Sequence, residues 1–187
     1  DKTGTLTTGE PTITTLLVST NGDSPPLTDT DLLRVAAAVE RNSEHPLGRA
    51  ILRAAEEQGM VVPSSTAFLS ETGRGVRATI DPEDLPPAWA KLLTGMRPAI
   101  VVGTLDWLAL NGIEPRESDR VTADRLASRG EVPLAIGIVP AQTTTGGSEV
   151  AAGVEVIQIE ARSTRPGSRS DAGTPADLPA RILGLIG

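Results

Sequence analysis

Residues 36–52 read AAAVERNSEHPLGRAIL, and this stretch decides how the chain is laid out. Two apolar stripes at helical spacing are broken between them by residues that suit neither a helix nor a strand. Leu32, Val35, Ala36 and Val39 fall at i, i+3, i+4 and i+7, one face of a first helix. Thr28 with Asp31 makes a capping-box-like start for it. RNSEHP (41–46) interrupts the pattern. Pro46 suits the first position of a second helix, where Leu47, Ile51, Ala54 and Ala55 repeat the stripe and Gly59 ends it. His45, just before the proline, is biased to extended backbone. Glu40 sits near the end of the first helix and faces the same break.

Outward from this helix pair the chain alternates between short strands and helices. PTITTLLVST (11–20) is rich in Thr, Val, Leu and Ile and predicts a strand, followed by a loop at NGDSPP (21–26). Residues 61–69 and 76–80 predict strands around the tight ETGRG (71–75). DPEDLPPAW (81–89) reads as a Pro-rich surface insertion. AIVVG (99–103) predicts a short buried strand, TLDWLALNG (104–112) a short helix, 117–129 another helix, and VPLAIGIV (132–139) a last strand. Beyond about residue 140 the composition shifts. PAQTTTGGSE (140–149) and ARSTRPGSRSDAGTPADLPAR (161–181) are rich in Gly, Ser, Thr and Pro, with VAAGVEVIQIE (150–160) between them as one further candidate strand. No internal repeat is visible.

Composition bounds the function classes. Of the 187 residues 39% are hydrophobic and only 2% aromatic, so a core must be built from Ala, Val, Leu and Ile. The net charge of −7 argues against a nucleic-acid surface, and there is no dense Lys/Arg run. The absence of cysteine excludes a disulfide scaffold, thiolate metal ligands and a Cys nucleophile. No stretch offers roughly 18 uninterrupted apolar residues to span a membrane, and the polar N-terminus is unlike a signal peptide. A chain that starts on a specific motif without Met is expected to be a fragment of a longer protein.

That motif is DKTGTLTTGEP (1–11). The Asp1 carboxylate, followed by a small-residue turn, is a reasonable nucleophile toward phosphorus. Lys2 offsets phosphate charge, and the turn at Gly4 with the Thr3 and Thr5 hydroxyls and amides suits phosphoryl oxygens. DKTGTLT resembles the phosphorylation motif of the P-type ATPases. SEHP (43–46) within AAAVERNSEHPLGRAIL resembles the segment found in the heavy-metal-transporting branch of that family, copper pumps among them. ETGRGV (71–76) is similar to the family's Gly-x-Gly beside the nucleotide, and VVGTLDWLALNGI (101–113) to its strand–Gly-Asn–helix segment, with Thr104 where Asn is usual.

The resemblance implies an α/β (α+β) fold, an antiparallel sheet flanked by helices. It implies residues 1–10 as phosphorylation loop and hinge and 11–139 as a nucleotide-binding domain, while composition marks 140–187 as an atypical, poorly ordered tail that does not fit the resemblance. The resemblance implies ATP at Glu40, His45, Gly73, Gly75, Gly103 and Thr104, with Val76 as a pocket wall. It makes Asp1, Lys2, Thr3 and Thr5 catalytic, with Mg²⁺ held at Asp1 and Thr3. Related phosphatases of the haloacid dehalogenase type carry a second Asp where Thr3 stands, so Thr3 implies a longer-lived aspartyl-phosphate. The parent would be a membrane-embedded heavy-metal pump, copper being favoured, with this part cytoplasmic at a bacterial plasma membrane. The fragment itself would be soluble and without turnover. Two alternatives stay open: a non-catalytic nucleotide-binding module, and a soluble aspartate-nucleophile phosphatase, against which Thr3 argues.

Overall fold

The computed structural model describes residues 11–19, 26–139 and 180–187. Strands β1 (Leu16–Val18), β2 (Thr66–Glu71), β3 (Gly75–Thr79), β4 (Ala99–Gly103), β5 (Leu134–Val139) and β6 (Arg181–Ile186) form one sheet. Its order is β1-β6-β5-β4-β3-β2, and every neighbouring pair is antiparallel. Helices α1 (Asp29–Glu40), α2 (Pro46–Glu57), α3 (Pro87–Leu92), α4 (Leu105–Leu110) and α5 (Glu117–Ser128) flank it. This is the antiparallel, helix-flanked α/β class that the sequence implied.

Strand alternation divides the core in two. In β4 every residue is buried because both sheet faces are covered. Ile100 and Val102 pack with Leu32, Leu33, Val39 and Ile51 of α1 and α2. Val101 packs on the other face with Trp107, Leu108, Ala123 and Leu126 of α4 and α5. The capping box at the start of α1 is formed: the Thr28 Oγ1 accepts the Asp31 amide at 3.1 Å, and the Thr28 amide donates to Asp31 Oδ2 at 3.0 Å. Pro46 opens α2 as its first residue, with His45 as the N-cap.

Three expectations are corrected. The strand expected over 11–20 is confined to Leu16–Val18. Its length is set by its partner, since Thr14 and Thr15 turn to donate to the Gly187 carbonyl at 2.8 and 3.1 Å. The Pro-rich stretch 81–89 is no surface insertion. Leu85, Trp89 and Leu93 lie at i, i+4 and i+8 and enter the α1-side core, with Trp89 only 3% exposed. The prolines serve this arrangement, because Pro87 takes the first turn of α3 where no amide bond is lost.

The third correction concerns the end of the chain. Residues 181–186, within the stretch expected as a tail, pair as β6 between β1 and β5, while residues 140–179 lie outside the described residues. Ile182 and Leu185 join one half of the core, Leu183 and Ile186 the other. The alternation breaks at Leu183 because that residue is a bulge, lying between the pairs Gly137↔Ile182 and Ile136↔Gly184. Residues 150–160, the further candidate strand, lie outside the described residues.

Candidate functional site

A cleft of about 570 Å³ opens at the end of the sheet where β3 and β5 begin and β4 ends. That size lies within the range of small-molecule sites. Its walls come from four stretches far apart in sequence: the α1–α2 turn, the β2–β3 turn, the end of β4, and Val132–Pro133–Leu134 ahead of β5. All six residues assigned to the nucleotide, Glu40, His45, Gly73, Gly75, Gly103 and Thr104, line it, and so does Val76.

Glu40 is the last residue of α1 and is 5% exposed. The Ser43 hydroxyl hydrogen-bonds its carboxylate, while Oε2 is buried without any partner among the described residues. Burial pushes the Glu40 carboxyl above its ordinary value of 4.5, and the Ser43 bond offsets part of that rise. Gly48 of α2 makes room for the pair, since a Cβ there would press on Glu40 Oε2 and lie 2.9 Å from Ser43 Oγ. The same hydroxyl accepts the His45 amide at 3.3 Å, so Glu40, Ser43 and His45 are tied together. His45 Nδ1 accepts the Leu47 amide at 3.2 Å as the cap of α2. In the neutral ring the proton is therefore on Nε2, the nitrogen not used by the cap.

The floor is made of backbone. Gly75 and Gly103 are partners across β3 and β4, and the Trp107 ring stands over both. The Trp107 indole donates to the Val76 carbonyl at 3.4 Å, which fixes the ring there. Gly73 has φ +75° and sits third in the turn closed by the Arg74 amide donating to the Glu71 carbonyl at 3.0 Å. With no positive φ at Thr72, this is the type II arrangement, which asks for glycine at that place. Thr104 caps α4, its Oγ1 accepting the Trp107 amide at 3.1 Å. Of the two roles open to that threonine, capping is the one its hydroxyl performs here.

Asp1, Lys2, Thr3 and Thr5 lie outside the described residues. Among the described residues no group of three His, Cys, Asp or Glu side chains gathers to hold a metal, and no helix is long and apolar enough to cross a membrane. Sequence reading missed Ser43, Arg74 and the Val132–Leu134 wall. Ser43 stood inside the quoted motif. The wall could be found only from the β4–β5 register, which brings Gly103 opposite Ala135.

The comparisons with known proteins bear on the family and the fold. A family model described as haloacid dehalogenase-like hydrolase matches residues 1–164. The silver exporting P-type ATPase of Salmonella typhimurium is 47% identical over 43% of the chain. The probable copper-exporting P-type ATPase V of Mycobacterium tuberculosis is 35% identical over 71% of it, and the copper-exporting P-type ATPase of Bacillus subtilis 29% identical over 98%. The chain spans 9%, 16% and 22% of the lengths of these three relatives. Among solved structures, a zinc-transporting PIB-type ATPase superposes with a TM-score of 0.51 at 26% identity, over 75% of this chain and 18% of that one. The N-domain of HMA8, a copper-transporting P-type ATPase, shares the fold with a TM-score of 0.50 at 23% identity, over 68% of this chain and 90% of that one. Motif order, sheet topology and relatives converge: the chain belongs to the haloacid dehalogenase-like hydrolase family, and within it to the P-type ATPases.

Proposed function

We propose that the cleft binds the adenine end of ATP and that the chain is the nucleotide-binding part of a heavy-metal-exporting pump phosphorylated on Asp1. The observation that carries this is the buried, unpartnered Glu40 Oε2 at the wall of a cleft floored by two glycines. A desolvated acceptor without a donor is costly unless something supplies the donor. An exocyclic amine on a flat heterocycle does so. At Gly75 and Gly103 the cleft is lined by backbone alone, because the space a Cβ would take is filled by Trp107 and the facing strand. His45, fixed through its Nδ1, offers Nε2 and its ring to the same ligand.

The domain in this reading comprises residues 11–139 together with β6, and residues 1–10 form the hinge that carries the reacting carboxylate. A carboxylate oxygen of Asp1 attacks the γ-phosphorus in line, the bond to the ADP oxygen breaks, and water later cleaves the aspartyl-phosphate. Lys2, with Thr3 and Thr5, offsets charge on the phosphoryl oxygens. Mg²⁺, which a transfer between such anions requires to spread charge, falls to Asp1 and Thr3 in this reading. The named relatives export silver and copper, so the cargo is a heavy-metal cation, selected by parts of the parent other than this cleft. The domain works at the cytoplasmic side of a bacterial plasma membrane. The chain alone binds ATP and does not turn it over.

Titrating ATP while following backbone amide shifts tests the binding half. Shifts are expected at residues 40–45, 73–76 and 102–104 at millimolar ligand or below, a weak but specific range. His45→Ala and Glu40→Ala should each weaken binding severalfold. A spectrum unmoved by several millimolar ATP sinks the reading, and Asp1-dependent ATP hydrolysis by the chain alone sinks its second half.

A further inference from the structure

Arg74 lines the cleft and has no part in the reading above. Its main chain is fixed on both sides. The Arg74 amide donates to the Glu71 carbonyl at 3.0 Å, and its own carbonyl accepts the Thr104 amide at 2.9 Å. The residues on either side are Gly73 and Gly75, so no neighbouring side chain flanks it. Among the described residues no hydrogen bond or ion pair engages its guanidinium. Among those residues it is also the only Lys or Arg along the cleft, whose other charged side chains are the carboxylates Glu40, Glu44 and Glu71.

The charges are arranged unevenly. Glu40 and Glu44 come from the α1–α2 layer. Arg74 comes from the β2–β3 turn, which the third carboxylate, Glu71, opens, and it lies beside Thr104, where α4 of the opposite layer begins. An anionic group entering a cleft with three carboxylates, on a chain of net charge −7, is repelled unless a cation meets it. A guanidinium fork matches phosphate oxygens better than a point charge does. An unpaired arginine with a fixed base is available for that at little cost in ordering.

We propose that Arg74 is the phosphate contact of this site, and that through it the cleft prefers a phosphorylated adenine nucleotide to the bare nucleoside. The inference rests on the adenine reading of the cleft. In that reading base and phosphate separate along the cleft: the base against Glu40, His45 and the glycine floor, the phosphate toward the β2–β3 turn.

The test is calorimetric titration of the full chain with adenosine, AMP and ATP, at low salt and again at several hundred millimolar salt. Wild type should bind ATP about tenfold more tightly than adenosine at low salt, the size of one partly exposed charge-assisted contact. Arg74→Ala should remove most of that preference and leave adenosine binding unchanged. Arg74→Lys should recover part of it, and salt should erode it in wild type but not in Arg74→Ala. The same ATP-to-adenosine ratio in wild type and Arg74→Ala overturns the proposal while leaving the adenine reading intact. Absence of binding by both adenosine and ATP to wild type overturns the adenine reading, and this inference with it. Because Arg74 is exposed on a turn, an unchanged amide spectrum outside residues 71–76 checks that the variants fold.

Discussion

Gly73 and Gly75, which flank Arg74, should respond very differently to a single added methyl group. At Gly75 an added Cβ would overlap the Val102 carbonyl oxygen and lie 2.6 Å from Trp107 Cδ1 and 2.7 Å from Gly103 Cα. Two of those three atoms are backbone of β4, which is held between β3 and β5. Neither can yield as a flexible side chain would, so relief requires parting the ends of β3 and β4. Overpacking costs about 1–3 kcal/mol, and rigid neighbours put this site at the upper end. Displacing Trp107 also strains its bond to the Val76 carbonyl, adding about 0.5–1 kcal/mol. Gly75→Ala should therefore cost about 3–4 kcal/mol. At Gly73 a Cβ meets nothing within 4 Å. Only its φ of +75° opposes the substitution, at about 1–2 kcal/mol. For a domain of this size each kcal/mol moves Tm by roughly 2–4 °C. Gly75→Ala should fall by about 10 °C and lose ATP binding, whereas Gly73→Ala should fall by about 4 °C and keep most of it. Thermal unfolding paired with calorimetric titration reads both. Equal shifts for the two variants, or a Gly75→Ala protein with wild-type melting and affinity, would refute the floor as described.

Glu40→Gln tests the buried carboxyl. Because the folded-state pKa is raised, the folded protein retains a proton that the unfolded chain releases near 4.5, so wild-type stability falls as pH rises from about 4.5 to the folded-state value. Urea unfolding across pH 4.5–8 should show that slope in wild type and a flatter one in Glu40→Gln, while ATP affinity drops severalfold. Trp89→Ala should cost about 3–5 kcal/mol in the same assay, since the Pro-rich stretch places this ring in the core. A cost below about 1 kcal/mol would mean the stretch is an appendage after all. Replacing residues 140–179 by Asn-Gly should leave a closed sheet, because Ile138 and Arg181 are already partners and a two-residue turn suits such a pair. The shorter closure should raise stability by about 2 kcal/mol, and an unfolded product would refute β6 as a partner of β5.

Local chemistry is readable wherever one segment carries it. The Thr28–Asp31 box, Pro46 at the head of α2 and the apolar run of β4 each declare themselves within a few residues. The six residues expected at the nucleotide follow from motif order, and they meet in one cleft because the β3–β4 pairing sets Gly75 against Gly103. What escapes reading depends on distant partners. The run RILGLI is short, contains a glycine and follows a Gly/Ser/Thr/Pro-rich stretch, so nothing local marks it as the strand between β1 and β5. The prolines of 82–87 read as punctuation, although the spacing of Leu85, Trp89 and Leu93 already describes a buried stripe. Val132–Leu134 has no polar signature and joins the cleft only through register.

The place of β6 also bears on how the domain is made. Among the described strands β1 has no other neighbour, and Thr14 bonds to a residue 173 positions further along the chain. While the polypeptide is being synthesised, β1 lacks that partner and β5 presents an open edge backed by Ile136 and Ile138 until residues 181–186 emerge. Pairings so remote in sequence form slowly, and an open apolar edge invites association with other nascent chains. Yield in the cell should thus depend on the interval between emergence of β5 and of β6. A slowed stretch of translation within residues 140–180 would lower the recovery of folded protein without altering any residue of the finished domain.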